Sequence, residues 1–149
     1  MDSTVKIRAG APLQVEPLTL HHVGFVVESI AEVGHYFARS VGARWDGKVS
    51  CDPLQEADVA FLWNDGAGCP MIELVQPSGS ASPLHRFLKR GGGLHHLCYE
   101  VDSLQIQLES SRLSGALIVK PPLPAVAFGG RCIAWVYTRQ KLLLEYLER

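Results

Sequence analysis

A pair of adjacent histidines occurs twice in the chain, and the residues that follow each pair repeat the same pattern. The first copy reads His21-His22-Val23-Gly24-Phe25-Val26-Val27-Glu28-Ser29-Ile30. The second reads His95-His96-Leu97-Cys98-Tyr99-Glu100-Val101-Asp102-Ser103-Leu104. The offset is a constant 74 residues, about half of the 149-residue chain. Each pair leads into an apolar run of strand character, then an acidic residue, a serine and an aliphatic. Self-similarity on this scale means two copies of one supersecondary unit.

The alternating, β-branched stretch 18–27 predicts a strand. Ser29 is placed to cap a helix running to about residue 39, with Ile30, Val33, Tyr36 and Phe37 at helical spacing and Gly42 closing it. Strands are expected over 44–51, 57–63 and 71–75, broken by Asp52-Pro53 and by Asn64-Asp65-Gly66. The Ser/Gly/Pro stretch 77–83 is a connector, 83–89 a short amphipathic helix, and Gly91-Gly92-Gly93 a hinge. In the second half a strand is expected over 94–101, then a helix capped by Ser103 that runs to about 113 and ends at Gly115. Strands follow over 116–120, 131–137 and 142–147, with a Pro-rich loop through Pro124 and a Gly129-Gly130 turn after the first. Each half therefore reads βαβββ. The expectation is an α+β protein of two tandem modules, about 18–77 and 93–149, joined by a linker helix at about 82–90 and preceded by an N-terminal arm, residues 1–17.

Side chains alternate across a strand, so the two histidines of a pair face opposite sides. His21 shares its face with Val23, Phe25 and Val27, and His95 shares its face with Leu97, Tyr99 and Val101. Those faces are apolar and are expected to pack on the helices, with His21 and His95 structural and hydrogen-bonded to backbone. His22 and His96 are left on the opposite face. The closing strand of each half carries a carboxylate inside an apolar run, Glu73 in Met71-Ile72-Glu73-Leu74-Val75 and Glu145 in Leu142-Leu143-Leu144-Glu145-Tyr146-Leu147. A carboxylate buried in a strand is costly without a neutralising partner. The spacings from His22 to Glu73 and from His96 to Glu145 are 51 and 49 residues. Two imidazoles and two carboxylates converging in this way suit a divalent metal with coordination positions left for a substrate.

The formal net charge of −1 gives no electrostatic case for nucleic acid or an anionic membrane surface. No run approaches the roughly 18 apolar residues of a membrane span, and the first seventeen residues lack the apolar stretch of a secretory signal. Cys51, Cys69, Cys98 and Cys132 form no Cys-x-x-Cys pair, so reduced thiols and a cytoplasmic location are expected. Gly91-Gly92-Gly93 lacks the spacing of a phosphate-binding loop. The basic residues Arg86, Lys89 and Arg90 read as a solvated helix face, and Trp45, Trp63 and Trp135 as residues of the core or of the wall of the site.

The chain resembles the vicinal oxygen chelate (glyoxalase) superfamily, and within it the methylmalonyl-CoA epimerases. The likeness runs from about residue 18 to the C-terminus. It is carried by Ile72-Glu73-Leu74-Val75-Gln76-Pro77, by Ser82-Pro83-Leu84-His85-Arg86-Phe87-Leu88-Lys89-Arg90-Gly91 and by Gly93-Leu94-His95-His96. It implies a glyoxalase-like fold, a mixed eight-stranded cup-shaped sheet around a metal. Carried over by motif, the metal ligands are His22, Glu73, His96 and Glu145, and the ion is one of Co, Mn, Ni, Zn or Fe. The implied chemistry is isomerisation through a metal-stabilised enolate of a small-molecule substrate, with an acyl-CoA among the candidates and a homodimer as the expected assembly.

Two features depart from the epimerase pattern. The position of the epimerases' catalytic carboxylate on the third strand is Val59, with Asp58 one step away, and the hairpin Val136–Lys141 differs. Glu145 and Asp58 are the candidate proton-transfer residues, with Glu56 as a further one. Alternatives within the superfamily are a lactoylglutathione lyase-like isomerase, a thiol transferase and an extradiol dioxygenase. An alternative of another class is a metal-free, resistance-type binding protein, against which the retention of all four ligands argues.

Overall fold

The computed structural model describes residues 17–149. The N-terminal arm expected over residues 1–17 lies outside the described residues except for Pro17. The first module contains β1 (Thr19–Val26), α1 (Ile30–Ser40), β2 (Ser50–Asp52), β3 (Ala57–Leu62) and β4 (Met71–Pro77). A linker helix α2 (Leu84–Lys89) leads to β5 (Gly93–Val101), α3 (Leu104–Leu113), β6 (Leu117–Pro124), β7 (Cys132–Tyr137) and β8 (Leu143–Glu148). A single 3₁₀ turn, Val126–Phe128, precedes β7. The strands form one mixed, curled sheet in the order β2-β3-β4-β1-β5-β8-β7-β6, the α+β architecture expected from the repeat.

Each helix begins where its serine caps it. Ser29 Oγ accepts from the Glu32 amide at 3.3 Å, and Ser103 Oγ from the Ile106 amide at 3.4 Å. The two helices cover the outer face of the curl. In the first module Ile30 and Ala38 of α1 pack with Ala60, Leu62 and Leu74, and Phe25 of β1 and Val27 just after it join them. In the second, Leu104 and Leu108 of α3 pack with Val101, Ala134, Val136 and Tyr146. The alternation read from the sequence therefore sorts most of β1 and β5 correctly.

Two strands differ from expectation. The stretch 44–51 contributes only Ser50–Asp52 to the sheet, plus one bridge between Arg44 and Trp63. Asp46-Gly47 turns the chain there: Asp46 Oδ1 accepts from the Lys48 amide at 3.0 Å, and Gly47 adopts φ 79°. β6, by contrast, continues through Pro121 and Pro122. It lies at the edge of the sheet, where a residue without an N–H leaves no ladder partner unsatisfied.

The curl brings its two edges together. Asp52 on β2 accepts from the Leu54 and Gln55 amides through Oδ1 (3.0 and 3.2 Å), and from the Val126 amide of the second module through Oδ2 (2.8 Å). Lys120 on β6 donates to the Leu54 carbonyl at 3.0 Å and to Gln55 Oε1 at 3.2 Å. Asp52 is buried, so its truncation strands three N–H donors that water cannot readily reach. Asp52→Ala is expected to lower stability by about 3 kcal/mol in urea unfolding, with the native fold retained in circular dichroism.

Candidate metal centre

The seam between the modules is the antiparallel pairing of β1 with β5, in which His22 lies opposite Cys98 and Gly24 opposite His96. On the outer side of β1, Gly24 is paired with Glu73 of β4; on the outer side of β5, Cys98 is paired with Glu145 of β8. Two rows therefore cross the sheet, Glu73–Gly24–His96 and His22–Cys98–Glu145. Residues paired in register project from the same face, so all four polar side chains point into the curl.

They meet there. His22 Nε2 lies 3.1 Å from His96 Nε2, 3.3 Å from Glu73 Oε2 and 3.1 Å from Glu145 Oε2. His96 Nε2 lies 3.2 Å from Glu73 Oε2 and 3.3 Å from Glu145 Oε2. All four residues are buried. Glu145 Oε2 has no hydrogen-bond partner of good geometry, although two imidazole nitrogens are within reach. Four donor atoms converging on one point with an unsatisfied carboxylate oxygen are what a divalent ion with bonds of about 2.0–2.2 Å to N and O would satisfy. The residues present fit such an ion.

Two rows leave little room, and Gly24 makes it. A Cβ at Gly24 would stand 2.0 Å from His96 Cε1, so any side chain here displaces the imidazole. Aromatic rings close around the cluster: Phe61, next to Glu73 on β3, meets His22 edge-on at 5.6 Å, and Trp135, next to Glu145 on β7, meets His96 at 4.6 Å. Phe128 stacks on His22 at 5.8 Å. A cavity of about 400 Å³ lies over Glu73, His96 and Glu145, walled by Ala57, Val59, Val75, Phe128 and Trp135 among others.

The first histidine of each pair departs from the expected packing face. β1 has an extra residue between Leu20 and His22, opposite the consecutive Tyr99 and Cys98. β5 has one between Leu94 and His96, opposite Phe25 and Gly24. The extra residues are His21 and His95, and such β-bulges re-aim side chains. Instead of packing on α1 and α3 and bonding backbone, His21 Nδ1 sits 2.8 Å from His22 Nδ1, and His95 Nδ1 sits 3.0 Å from His96 Nδ1. Burial and the neighbouring His22 lower the His21 imidazole; burial and His96 take His95 down to about 4.

Asp58 is not brought to the site. It pairs with Cys51 and Gln76 across β3, contacts Cys51, and is absent from the cavity wall, where Val59 and Ala57 stand. Its assignment as a proton-transfer residue is corrected by this one-residue difference in facing. Glu56 does line the cavity, held at φ 54° in the left-handed region that a non-glycine residue rarely adopts. The residues that sequence reasoning missed are Gly24, Phe61 and Phe128. Gly24 left a trace, because it occupies the repeat position of Cys98, a small residue two places after each ligand histidine.

Residues 21–134 match the glyoxalase/bleomycin resistance protein/dioxygenase superfamily. The chain belongs to this superfamily. It is 25% identical over 122 residues to an ethylmalonyl-CoA/methylmalonyl-CoA epimerase of Cereibacter sphaeroides, covering 80% of this chain and 88% of that one. The solved structure of hypothetical protein BH1468 from Bacillus halodurans superposes with a TM-score of 0.76 at 27% identity, covering 90% of this chain and 96% of that one. A methylmalonyl-CoA epimerase variant of Streptomyces coelicolor, solved in complex with 2-nitronate-propionyl-CoA, shares the fold (TM-score 0.73, 19% identity, 89% of this chain and 98% of that one).

Without an ion the cluster is a set of mutually neutralising charges. Burial works to lower His22, but the Glu73 carboxylate, Cys98 and Glu145 outweigh it and raise the imidazole; His96 is likewise raised by Glu145 and Glu73 against burial. Against their own burial, the two imidazoles hold Glu73 and Glu145 below the usual carboxylate range. Raised imidazoles hold a proton more tightly than a free histidine does, whereas ligands must be neutral, so metal uptake works against bound protons. Isothermal titration with Zn²⁺ in buffers of different ionisation enthalpy is expected to show net release of protons on binding at pH 7. Gly24→Ala is expected to weaken Zn²⁺ binding at least tenfold while the apo protein still folds, read by chelator competition and circular dichroism.

Proposed function

We propose that the protein is a divalent-metal-dependent isomerase that moves a proton at the carbon α to a carbonyl, with a methylmalonyl-CoA-type thioester as the favoured substrate. The observation that carries this is the buried cluster of His22, Glu73, His96 and Glu145 beneath an otherwise mainly apolar cavity. The epimerase relative of Cereibacter sphaeroides supports the substrate class. These four side chains would hold one ion of the Co, Mn, Ni, Zn or Fe type. When bound, the ion supplies Lewis-acid stabilisation for negative charge developing on the substrate's carbonyl oxygen.

The chain's own groups do the rest. Phe61, Phe128 and Trp135 enclose the cluster and keep bulk water from the reacting carbon. Epimerisation needs one carboxylate to take the α-proton from one face and a carboxyl group to return a proton to the other. Glu145, at the cavity floor, is the candidate on one side. On the other, Glu56 replaces Asp58, because it lines the same cavity. The apolar wall at Ala57 and Val59 favours a second reading, a lactoylglutathione lyase-like isomerase whose single base takes and returns the proton on one face.

Incubating the metal-loaded protein with methylmalonyl-CoA in deuterated water tests this. The expected result is exchange of the α-proton with inversion of the centre, dependent on added Co²⁺ or Mn²⁺ and lowered at least a hundredfold in Glu145→Gln. Exchange without inversion would favour the one-base reading. Absence of exchange with every metal would overturn the epimerase assignment.

A further inference from the structure

We propose that His21 and His95 are positioning residues: each accepts the Nδ1–H of the histidine beside it and so presents Nε2 of His22 and His96 to the metal. The inference rests on the reading of the four-residue cluster as a metal centre.

Valence dictates the direction of these bonds. A neutral imidazole carries one N–H and one lone pair. If Nε2 of His22 gives its lone pair to a cation, the ring proton must be on Nδ1. The atom 2.8 Å from that Nδ1 is Nδ1 of His21. It can only accept, so His21 must carry its own proton on Nε2. The same reasoning applies to His96 and His95, whose Nδ1 atoms are 3.0 Å apart.

The geometry has to be built, because neighbouring residues on a regular strand face apart. It is built twice, by a bulge at equivalent positions of β1 and β5, and each bulge interrupts the pairing at the seam of the sheet. The accepting rings are themselves braced. His21 meets Phe128 edge-on at 5.5 Å, and His95 lies 4.8 Å from Phe87 and 6.2 Å from Trp135. Ligand histidines commonly donate to a carboxylate or a carbonyl. Here an uncharged ring does that work, which orients the ligand without adding further negative charge to a buried site that already holds two carboxylates.

The test compares His21→Phe and His95→Phe with His21→Asn and His95→Asn, since asparagine places a carbonyl oxygen near the position of Nδ1 and phenylalanine offers no acceptor. Zn²⁺ affinity is read by competition with a chromogenic chelator, and the Co²⁺-loaded forms by visible absorption. The Phe variants are expected to bind about tenfold to hundredfold more weakly and to alter the Co²⁺ bands, and the Asn variants to stay within about threefold of the parent. Long-range ¹H–¹⁵N spectra of the Zn²⁺-loaded parent provide a readout that needs no variant. His22 and His96 are expected as Nδ1–H tautomers, His21 and His95 as Nε2–H tautomers. Phe variants that bind as the parent does, Asn variants that fall as far as Phe, or the opposite tautomers would overturn the proposal while leaving the metal centre standing. A parent that takes up no Zn²⁺ would overturn both.

Discussion

Everything at the centre of this molecule depends on the register of β1 against β5. That antiparallel seam sets His22 opposite Cys98 and His96 opposite Gly24, and so brings the two Nε2 atoms within 3.1 Å. The glutamates arrive from the strands flanking the seam, each in a row with the histidine of the other module. Four buried ionisable groups cannot be parted cheaply, because each would be left as an uncompensated polar group in a low-dielectric interior. A slip of β5 by one residue would turn His96 to the helix side and leave His22 without it. The polar cluster therefore specifies how the modules meet as well as what they can bind.

The cup around that seam is held by contacts between its far edges. The Asp52 bond to the Val126 amide anchors the 3₁₀ turn that carries Phe128, and Phe128 stacks on His22. Lys120 ties β6 to the β2–β3 turn that carries Gln55 and Glu56 into the cavity wall. Stability at the rim and geometry at the floor are thus linked through a few hydrogen bonds. The glycine at position 24 illustrates the same economy from the other direction, since the absence of one methyl group makes room for His96.

The fold is that of the superfamily, and the four clustered residues lie at the floor of a cavity whose wall at the third strand carries no carboxylate. Val59 and Ala57 present apolar surface to the cavity, with Glu56 as the nearest acidic residue along that strand's approach. Under the proposed epimerisation, return of a proton to the second face would fall to the turn before β3 and not to β3 itself. The strained backbone of Glu56 is in keeping with a residue held in place by its surroundings.

Much of this was legible in the chain. The 74-residue repeat carries the two βαβββ modules, Ser29 and Ser103 mark the helix starts, and alternation together with near-equal histidine-to-glutamate spacings of 51 and 49 residues singles out His22, Glu73, His96 and Glu145. These are properties of local period, which a strand or helix expresses wherever it packs. The facing of His21 and His95, the turning of Asp58 away from the cavity, the shortening of β2, the length of β6 through two prolines and the stacking of Phe128 were decided only by the tertiary structure. A bulge exists only relative to a partner strand one residue shorter, and prolines in the middle of a strand are tolerated only where it lies at an edge or bulges. Period can be read along one segment; pairing cannot, because it belongs to two.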